Sequence, residues 1–507
     1  MFRTLLAASI GAAALAACTT IGPSGPIAAP IQAQDSYFVK AHAAVEARAA
    51  ERGSQHAKNV ILFIGDGMGI ATITAARIYS GQAKGVDGES YQLAMEKLPY
   101  SAFSKTYTHD SQVADSAPTA VAMTSGVKSY NGSIGVTQAA NMSDCTSAAN
   151  NGVTTLWQLA EAAGLATGVV STARITHATP AATYATTNRR DWEADADIRP
   201  QDRNAACPDI ASQLATWDKS NGDGFEVILG GGRQKFLPNT ATDPEYADEK
   251  GEREDGRNLT DEWKAGAANR TYVTDKAGFD AFDWNGDGQI LGLFEPSHMQ
   301  YELDRNPAAE PSIAEMTLAA IKRLSRNSNG YVLMVEGGRV DHGLHAGNAA
   351  RALGDAKALD EAVAAALAAT NKSDTLIIVT ADHSHTLMIQ GYPDRGNPIL
   401  GLVKEGGELT RGRDGKPYTT LGFANGPGSI CKEQPDKSYR CERDDLTNVD
   451  TTDKEFLQPS TTPLGSETHG GEDVAIFAGG PGANLFSGVV EQNEIFHVMA
   501  KSLRLVK

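Results

Sequence analysis

Short apolar runs bounded by glycine and polar residues recur along this chain at intervals too long for hairpins. They fall at 59–65, 166–171, 225–229, 330–335, 374–380 and 473–478. The first, Asn-Val-Ile-Leu-Phe-Ile-Gly, is continuously apolar rather than alternating, the pattern of a strand covered on both faces. Longer helical stretches lie between the runs, above all 346–370, which is alanine-rich with interspersed charges. Strands alternating with helices predict an α/β architecture with a largely parallel central sheet flanked by helices on both sides. In such sheets ligands bind beyond the carboxyl ends of the strands, so the polar residues after each run matter most.

Those residues are acids and histidines. Ile64-Gly-Asp-Gly-Met-Gly69 puts Asp66 in a glycine-rich turn after the first run. Glu336-Gly-Gly-Arg-Val-Asp-His-Gly-Leu-His345 follows the fourth, Thr380-Ala-Asp-His-Ser-His385 the fifth, and Glu467-Thr-His-Gly-Gly-Glu-Asp473 precedes the last. Six of the eleven histidines fall in these motifs or in His177-Ala-Thr-Pro180, a concentration that chance placement does not explain. Imidazole with carboxylate suits zinc, and all-oxygen sets suit magnesium or calcium. Asp341 and His345 are spaced i, i+4, so one helical turn places both on one face. Val113-Ala-Asp-Ser-Ala-Pro-Thr-Ala-Val-Ala-Met-Thr-Ser-Gly126 adds a serine at a helix start. Asp115 or Ser116 is the cap, 117–123 the first turns, and Pro118 lies near the first helical position. The free N–H groups and positive end of such a helix suit a phosphate.

Composition narrows the function. A chain of 507 residues has room for about three domains or for one large α/β unit with insertions. A formal net charge of −17 with no basic tract argues against nucleic acid as a specific partner. An anionic substrate must then be drawn in locally, by metal or arginine. At the N-terminus, Arg3 precedes an apolar run at 5–17 that is too short to span a bilayer and fits the core of a signal peptide. Leu15-Ala-Ala-Cys18 resembles a bacterial lipobox, which implies a signal peptide at 1–17 and lipidation of Cys18; an ordinary signal peptide cut nearby is the alternative. Thr19 after the cysteine fits outer-membrane sorting, so the expectation is an exported protein of a Gram-negative bacterium, periplasmic or anchored to the outer membrane. Residues 18–35, rich in Pro, Gly and Ala, read as a flexible tether to a catalytic domain at 36–507. Four cysteines remain, Cys145, Cys207, Cys431 and Cys441, with three possible pairings in an exported chain. Sequence proximity favours Cys431–Cys441, leaving Cys145–Cys207; no C-x-x-C spacing supports the rival zinc reading.

The ordered motifs from Asn59 to Met499 resemble those of the alkaline phosphatases, and of their animal branch more than the best-known bacterial periplasmic enzymes. Gly292-Leu-Phe-Glu-Pro296, Met334-Val-Glu-Gly-Gly-Arg-Val-Asp-His-Gly343, Val379-Thr-Ala-Asp-His-Ser-His385 and Gly426-Pro-Gly428 carry the likeness. The resemblance implies hydrolysis of small phosphate monoesters through a phosphoseryl intermediate on Ser116, with Asp115 orienting an arginine that grips phosphate. That arginine falls on Arg190 in an ungapped alignment, and on Arg189 with a one-residue slip. It further implies a first zinc on Asp341, His345 and His469, a second zinc on Asp66, Asp382 and His383, and a magnesium on Asp66, Thr179 and Glu336. His177 and His342 stand where the well-known bacterial enzymes have Asp and Lys, and His342 is expected to reach phosphate through water. Phosphodiesterases and sulfatases of the same superfamily typically have threonine or a modified cysteine at the position of Ser116. A surface lipoprotein that binds phosphate without catalysis would not need the serine and both zinc sets.

A calcium site of the animal type maps onto Glu245, the Phe294 carbonyl, Glu295 and Glu310, the last replacing an Asp of the family. Asp283-Trp-Asn-Gly-Asp-Gly-Gln-Ile290 has the opening of an EF-hand-like loop but Phe294 at its twelfth position, where Glu is required. Residues 391–463, rich in Gly, Pro and charge, match the crown-like insertion that lies at the dimer interface of the family, so the resemblance implies a homodimer. An amphipathic pattern at 36–52 predicts a helix that docks on a partner subunit or on the chain's own core.

Overall fold

The computed structural model describes residues 28–203 and 207–506. Ten strands form one sheet: β1 (Asn59–Gly65), β2 (Tyr100–Lys105), β3 (Ala166–Arg174), β4 (Val227–Gly231), β5 (Arg270–Val273), β6 (Gln289–Leu293), β7 (Tyr331–Gly337), β8 (Thr375–Ala381), β9 (Val474–Gly479) and β10 (Val489–Glu491). Their spatial order is β10-β2-β9-β8-β1-β7-β3-β4-β6-β5. From β8 to β5 every pair is parallel, and β9 alone runs against its neighbours β8 and β2.

Strand β1 shows why the continuous apolar run was needed. Val60, Leu62 and Ile64 join the core on one face, Ile61 and Phe63 the core on the other, and all five are fully buried. Helices Ser116–Ser125 and Glu494–Ser502 lie in the first layer, and Ile313–Leu324 and Ala349–Ala369 in the second. Ala349–Ala369 starts later than the 346–370 pattern: Asn348 caps it by accepting from Arg351 N at 3.0 Å, and Gly347 turns the chain at φ 65. Strands β2, β5 and β10 left no distinct apolar run, being short or carrying exposed polar residues, whereas β6 is a fully buried apolar strand that the pattern reading passed over.

The amphipathic helix Ser36–Arg52 docks on its own core. Phe38, Ala41, Val45 and Ala49 are buried, Phe38 meets the Phe496 ring at 5.7 Å, and Lys501 pairs with Glu46 at 2.7 Å. The tether ends earlier than expected. Gln32 is buried and donates to Ser125 O and Thr154 O, each at 2.8 Å, while Asp35 caps the helix. Cys18 and the signal segment lie outside the described residues, among which no helix is long and apolar enough to cross a membrane.

Both expected disulfides are formed, Cys145–Cys207 and Cys431–Cys441. The second joins facing residues of a small hairpin in the 391–463 segment. That segment adds nothing to the main sheet; it builds its own hairpins and contributes to a three-stranded sheet of Leu387–Ile389, Leu421–Gly426 and Ser460–Pro463. The EF-hand-like loop is a turn leading into β6. Asp283 accepts from Asn285 N at 3.0 Å and Trp284 packs among aromatic rings, and no metal-type cluster forms there among the described residues.

Candidate metal centre and nucleophile

Parallel strands deliver the site residues to one edge. Asp66 follows β1, Asp382 and His383 follow β8, and Glu336 is the penultimate residue of β7, level with Ile64 of β1. The antiparallel run of β9 has a use: its amino end lies at the same edge, so His469 arrives beside ligands from strands of opposite sense. The helix Arg339–His345 puts Asp341 and His345 one turn apart, as the i, i+4 spacing predicts. Gly67 makes the turn at φ 67, and a Cβ there would lie 2.3 Å from the His385 ring, so only glycine fits.

Ser116 is the first residue of the helix Ser116–Ser125, with Asp115 as the cap. Pro118 is therefore at the third helical position, still within the turn where a missing N–H costs nothing. Asp115 takes the Ala117 N–H at 2.7 Å and Pro118 has none, so this helix end offers a phosphate fewer donors than a free terminus would. The Ser116 side chain is buried, with Oγ 3.1 Å from His383 Nε2 and 3.4 Å from Asp66 Oδ1. Of the adjacent arginines, Arg189 is exposed. Arg190 donates from Nη1 to Asp115 Oδ1 at 3.1 Å and from Nη2 to His177 Nε2 at 2.9 Å.

Three sets of side chains converge here. In the first, His345 Nε2 and His469 Nε2 are 3.0 Å apart and each 3.5 Å from Asp341 Oδ1. Tetrahedral zinc with ligands at about 2.0 Å has ligand–ligand edges of about 3.3 Å, so the set has the right dimensions. His345 Nδ1 donates to Glu467 O at 2.5 Å and His469 Nδ1 to Ala114 O at 2.6 Å, which leaves both Nε2 lone pairs free for a metal. In the second, His383 Nε2 lies 3.4 Å from Asp66 Oδ1 and 3.3 Å from Asp382 Oδ2. In the third, buried Asp66 Oδ2, Thr179 Oγ1 and Glu336 Oε1 lack a well-formed hydrogen bond, an arrangement that calls for a cation.

Electrostatics agree. Burial, and then the carboxylates of Asp382, Asp341 and Glu336, push Asp66 well above its ordinary range. Burial raises Asp382 as well, and takes Glu336 to about 7. So many carboxylates share this cavity that a multivalent cation is the natural counter-charge. Burial lowers His177 and His383 well below the usual imidazole range and takes His342 to about 3, so all three rings are neutral.

Three residues here carried no assigned role in the motif reading. His385 sits inside a quoted motif, and its Nε2 lies 2.7 Å from Asp341 Oδ1. Ser171 donates to Glu336 Oε2. His298 packs against His342 with ring centres 4.0 Å apart and planes tilted by 56°, and lies 5.3 Å from His177, held by Arg174. Nothing in the sequence marked His298, because it reaches the site from the loop after β6. The expected calcium residues lie elsewhere. Glu310 is buried with Oε1 unpartnered and is pushed up to about 8 by burial and then by Glu295. Glu295 accepts from Tyr246 Oη at 2.8 Å, while Glu245 pairs with Arg233 at 2.5 Å and the Phe294 N–H donates to Gly230 O at 2.8 Å.

A buried serine between carboxylate and imidazole sets at the carboxyl edge of a parallel sheet defines a metal-dependent hydrolase of the α/β class. The chain belongs to the alkaline phosphatase family, whose profile matches residues 57–505. It is 46% identical over 449 residues to the tissue-nonspecific alkaline phosphatase of Felis catus, covering 87% of this chain and 83% of that one. Against the alkaline phosphatase of Gadus morhua it is 44% identical, covering 88% and 91%. The solved alkaline phosphatase of Thermus thermophilus shares the fold with a TM-score of 0.62 at 24% identity, covering 89% of this chain and 92% of that one. The likeness to the animal branch read from the motifs matches these identities. As a member of this family the protein is a phosphohydrolase that cleaves phosphate monoesters and depends on metal.

Proposed function

We propose that the protein hydrolyses phosphate monoesters through a phosphoseryl intermediate on Ser116, releasing inorganic phosphate. The supporting observation is the place of Ser116 Oγ, within 3.4 Å of both His383 and Asp66 and beside the set of Asp341, His345 and His469. The N/O sets suit two zinc ions and the oxygen-rich third set suits magnesium. Bound metal would supply Lewis acidity, lowering the pKa of the serine hydroxyl and of water and balancing charge on the leaving oxygen.

Ser116 Oγ attacks phosphorus in line as the bond to the substrate alcohol breaks. The serine proton passes to solvent water, and the alcohol departs as its alkoxide, taking one proton back from solvent. Water then attacks the phosphoseryl phosphorus, the bond to Ser116 Oγ breaks, one proton of that water ends on Ser116 Oγ, and phosphate is released. Arg190, held by Asp115, grips two phosphate oxygens in fork geometry, which lysine cannot reproduce. The neutral ring of His342 reaches the phosphate through water. His177 accepts from Arg190 Nη2 and so steadies that guanidinium. Because these groups engage the phosphoryl end, the alcohol side of the substrate is left largely unread.

The test compares a chromogenic phosphate monoester with the matching diester at alkaline pH, with and without added zinc. Zinc-dependent monoester turnover far above diester turnover is expected; a preference for diester would move the chain to a phosphodiesterase role.

His177 lies beside the third site, its ring nitrogen within 4.8 Å of carboxylate oxygens of Asp66 and Glu336; a neutral imidazole there in place of a carboxylate holds magnesium less tightly. Mild magnesium withdrawal should lower turnover several-fold and added magnesium restore it, whereas full activity after withdrawal would count against this site. Calcium is proposed on Glu245, the Phe294 carbonyl, Glu295 and Glu310 as a structural ion; elemental analysis showing none after calcium dialysis would dismiss it. We also propose export with a lipid anchor at Cys18 and a homodimer formed through the 391–463 crown-like segment.

A further inference from the structure

We propose that Glu467 is a positioning residue for the first metal set, the point at which the segment returning from the 391–463 insertion fixes two of its side chains. The proposal rests on the two-zinc reading of that site. Glu467 is only 1% exposed, and its carboxylate is fully engaged. Oε2 meets His385 Nδ1 at 2.5 Å, and Oε1 accepts from Thr386 N at 2.6 Å and from Thr386 Oγ1 at 2.5 Å. His385 in turn presents Nε2 to Asp341 Oδ1 at 2.7 Å. One imidazole therefore bridges two carboxylates, and its orientation sets that of Asp341.

The backbone of the same residue fixes a second ligand. Glu467 N donates to His345 O at 2.9 Å, and Glu467 O accepts from His345 Nδ1 at 2.5 Å, which aims the ring's Nε2 at Asp341 and His469. The insertion is tied in at this junction. Ala424 N donates to Thr386 Oγ1 at 3.3 Å, Thr468 N donates to Asn425 Oδ1 at 2.9 Å, and a Cβ on Gly426 would lie 3.0 Å from Glu467 Cβ. The side chain thus acts on Asp341 through His385 and the main chain acts on His345, so substitution isolates the first route.

A carboxylate is required because it must accept on both oxygens. A glutamine amide has one accepting end, so it cannot receive His385 Nδ1–H and both Thr386 donors together. Loss of such an outer partner typically weakens metal affinity by about 10–100-fold.

The test titrates metal-free enzyme with chelator-buffered zinc and counts bound zinc by elemental analysis, for wild type, Glu467→Gln, His385→Gln, the double variant and Thr386→Val. Glu467→Gln is expected to weaken one zinc step by about 10–100-fold while the other steps hold. The double variant should bind zinc no worse than His385→Gln, since the carboxylate acts through that ring. At saturating zinc, Glu467→Gln should recover most of its kcat. Thr386→Val, which perturbs the same pocket but spares His385, should bind zinc as wild type does, and the unfolding midpoint of each metal-free variant reports packing separately. An unchanged isotherm for Glu467→Gln, additive losses in the double variant, or equal loss in Thr386→Val would each overturn the proposal. Wild type that binds fewer than two zinc ions would instead sink the two-zinc reading on which it rests.

Discussion

Replacing Ser116 with alanine is expected to lower kcat/KM for a phosphate monoester by roughly 10³-fold or more while bound metal is retained. The serine hydroxyl is the single oxygen nucleophile that the helix Ser116–Ser125 places beside His383 and Asp66. Its removal takes away the covalent step but leaves Arg190, Asp115 and the carboxylate sets in place. Residual turnover by direct attack of water is therefore expected, because charge stabilisation outlives the nucleophile. The expected companion result is disappearance of acid-stable labelled phosphoprotein when the enzyme is quenched with radiolabelled phosphate. Wild-type turnover in Ser116→Ala, or label that persists at another residue, would remove Ser116 from the mechanism. Zinc analysis on the same samples separates loss of the nucleophile from loss of metal.

The sheet and most of the site were legible because both leave local marks. A buried parallel strand needs continuous apolar residues, and the turn after it carries the chemistry, so Asp66, Glu336, Asp341, Asp382 and His383 stood out. The weaker strands at and beside the ends of the sheet left no such mark: Arg270–Val273 and Tyr100–Lys105 are held by pairing rather than by apolar content. The alternative between Arg189 and Arg190 turned on one residue of register, and it is the contact with Asp115 that separates them. His385 and Glu467 were visible in the motifs as letters but not as partners. Their contact joins the strand pair Ser384–His385 and His469–Gly470 across 82 residues, which no spacing rule reports. In the EF-hand-like loop ligand-type residues serve a turn and an aromatic cluster, in keeping with Phe294 at the position where Glu is required.

Metal removal should abolish turnover and make the protein's stability fall as pH rises from about 6.5 to 9, and this follows from the signs of the buried shifts. His385 is opposed by burial, but Asp341 and Glu467 raise it to about 9 from 6.5. Its stabilising contribution is fully present below the unfolded value and is lost as pH climbs through the folded one. At 1.36 kcal/mol per unit, that shift corresponds to about 3 kcal/mol lost over this window. Glu336, raised to about 7, loses its share between 4.5 and 7, so only the tail of that loss falls in the same range. The neutral histidines act below it: His177, His342 and His383 are depressed, so their contribution is present above 6.5 and is lost as pH falls beneath it. Below 6.5 the two groups oppose each other, and above 6.5 only the destabilising one still changes. Bound metal reverses the trend, because its ligands bind deprotonated and the cation offsets the crowded carboxylates. Unfolding midpoints of chelator-treated and metal-reconstituted enzyme should therefore diverge steadily from pH 6.5 to 9. A gap that stays constant or narrows would mean that these side chains do not form the metal cavity whose charge balance the fold depends on.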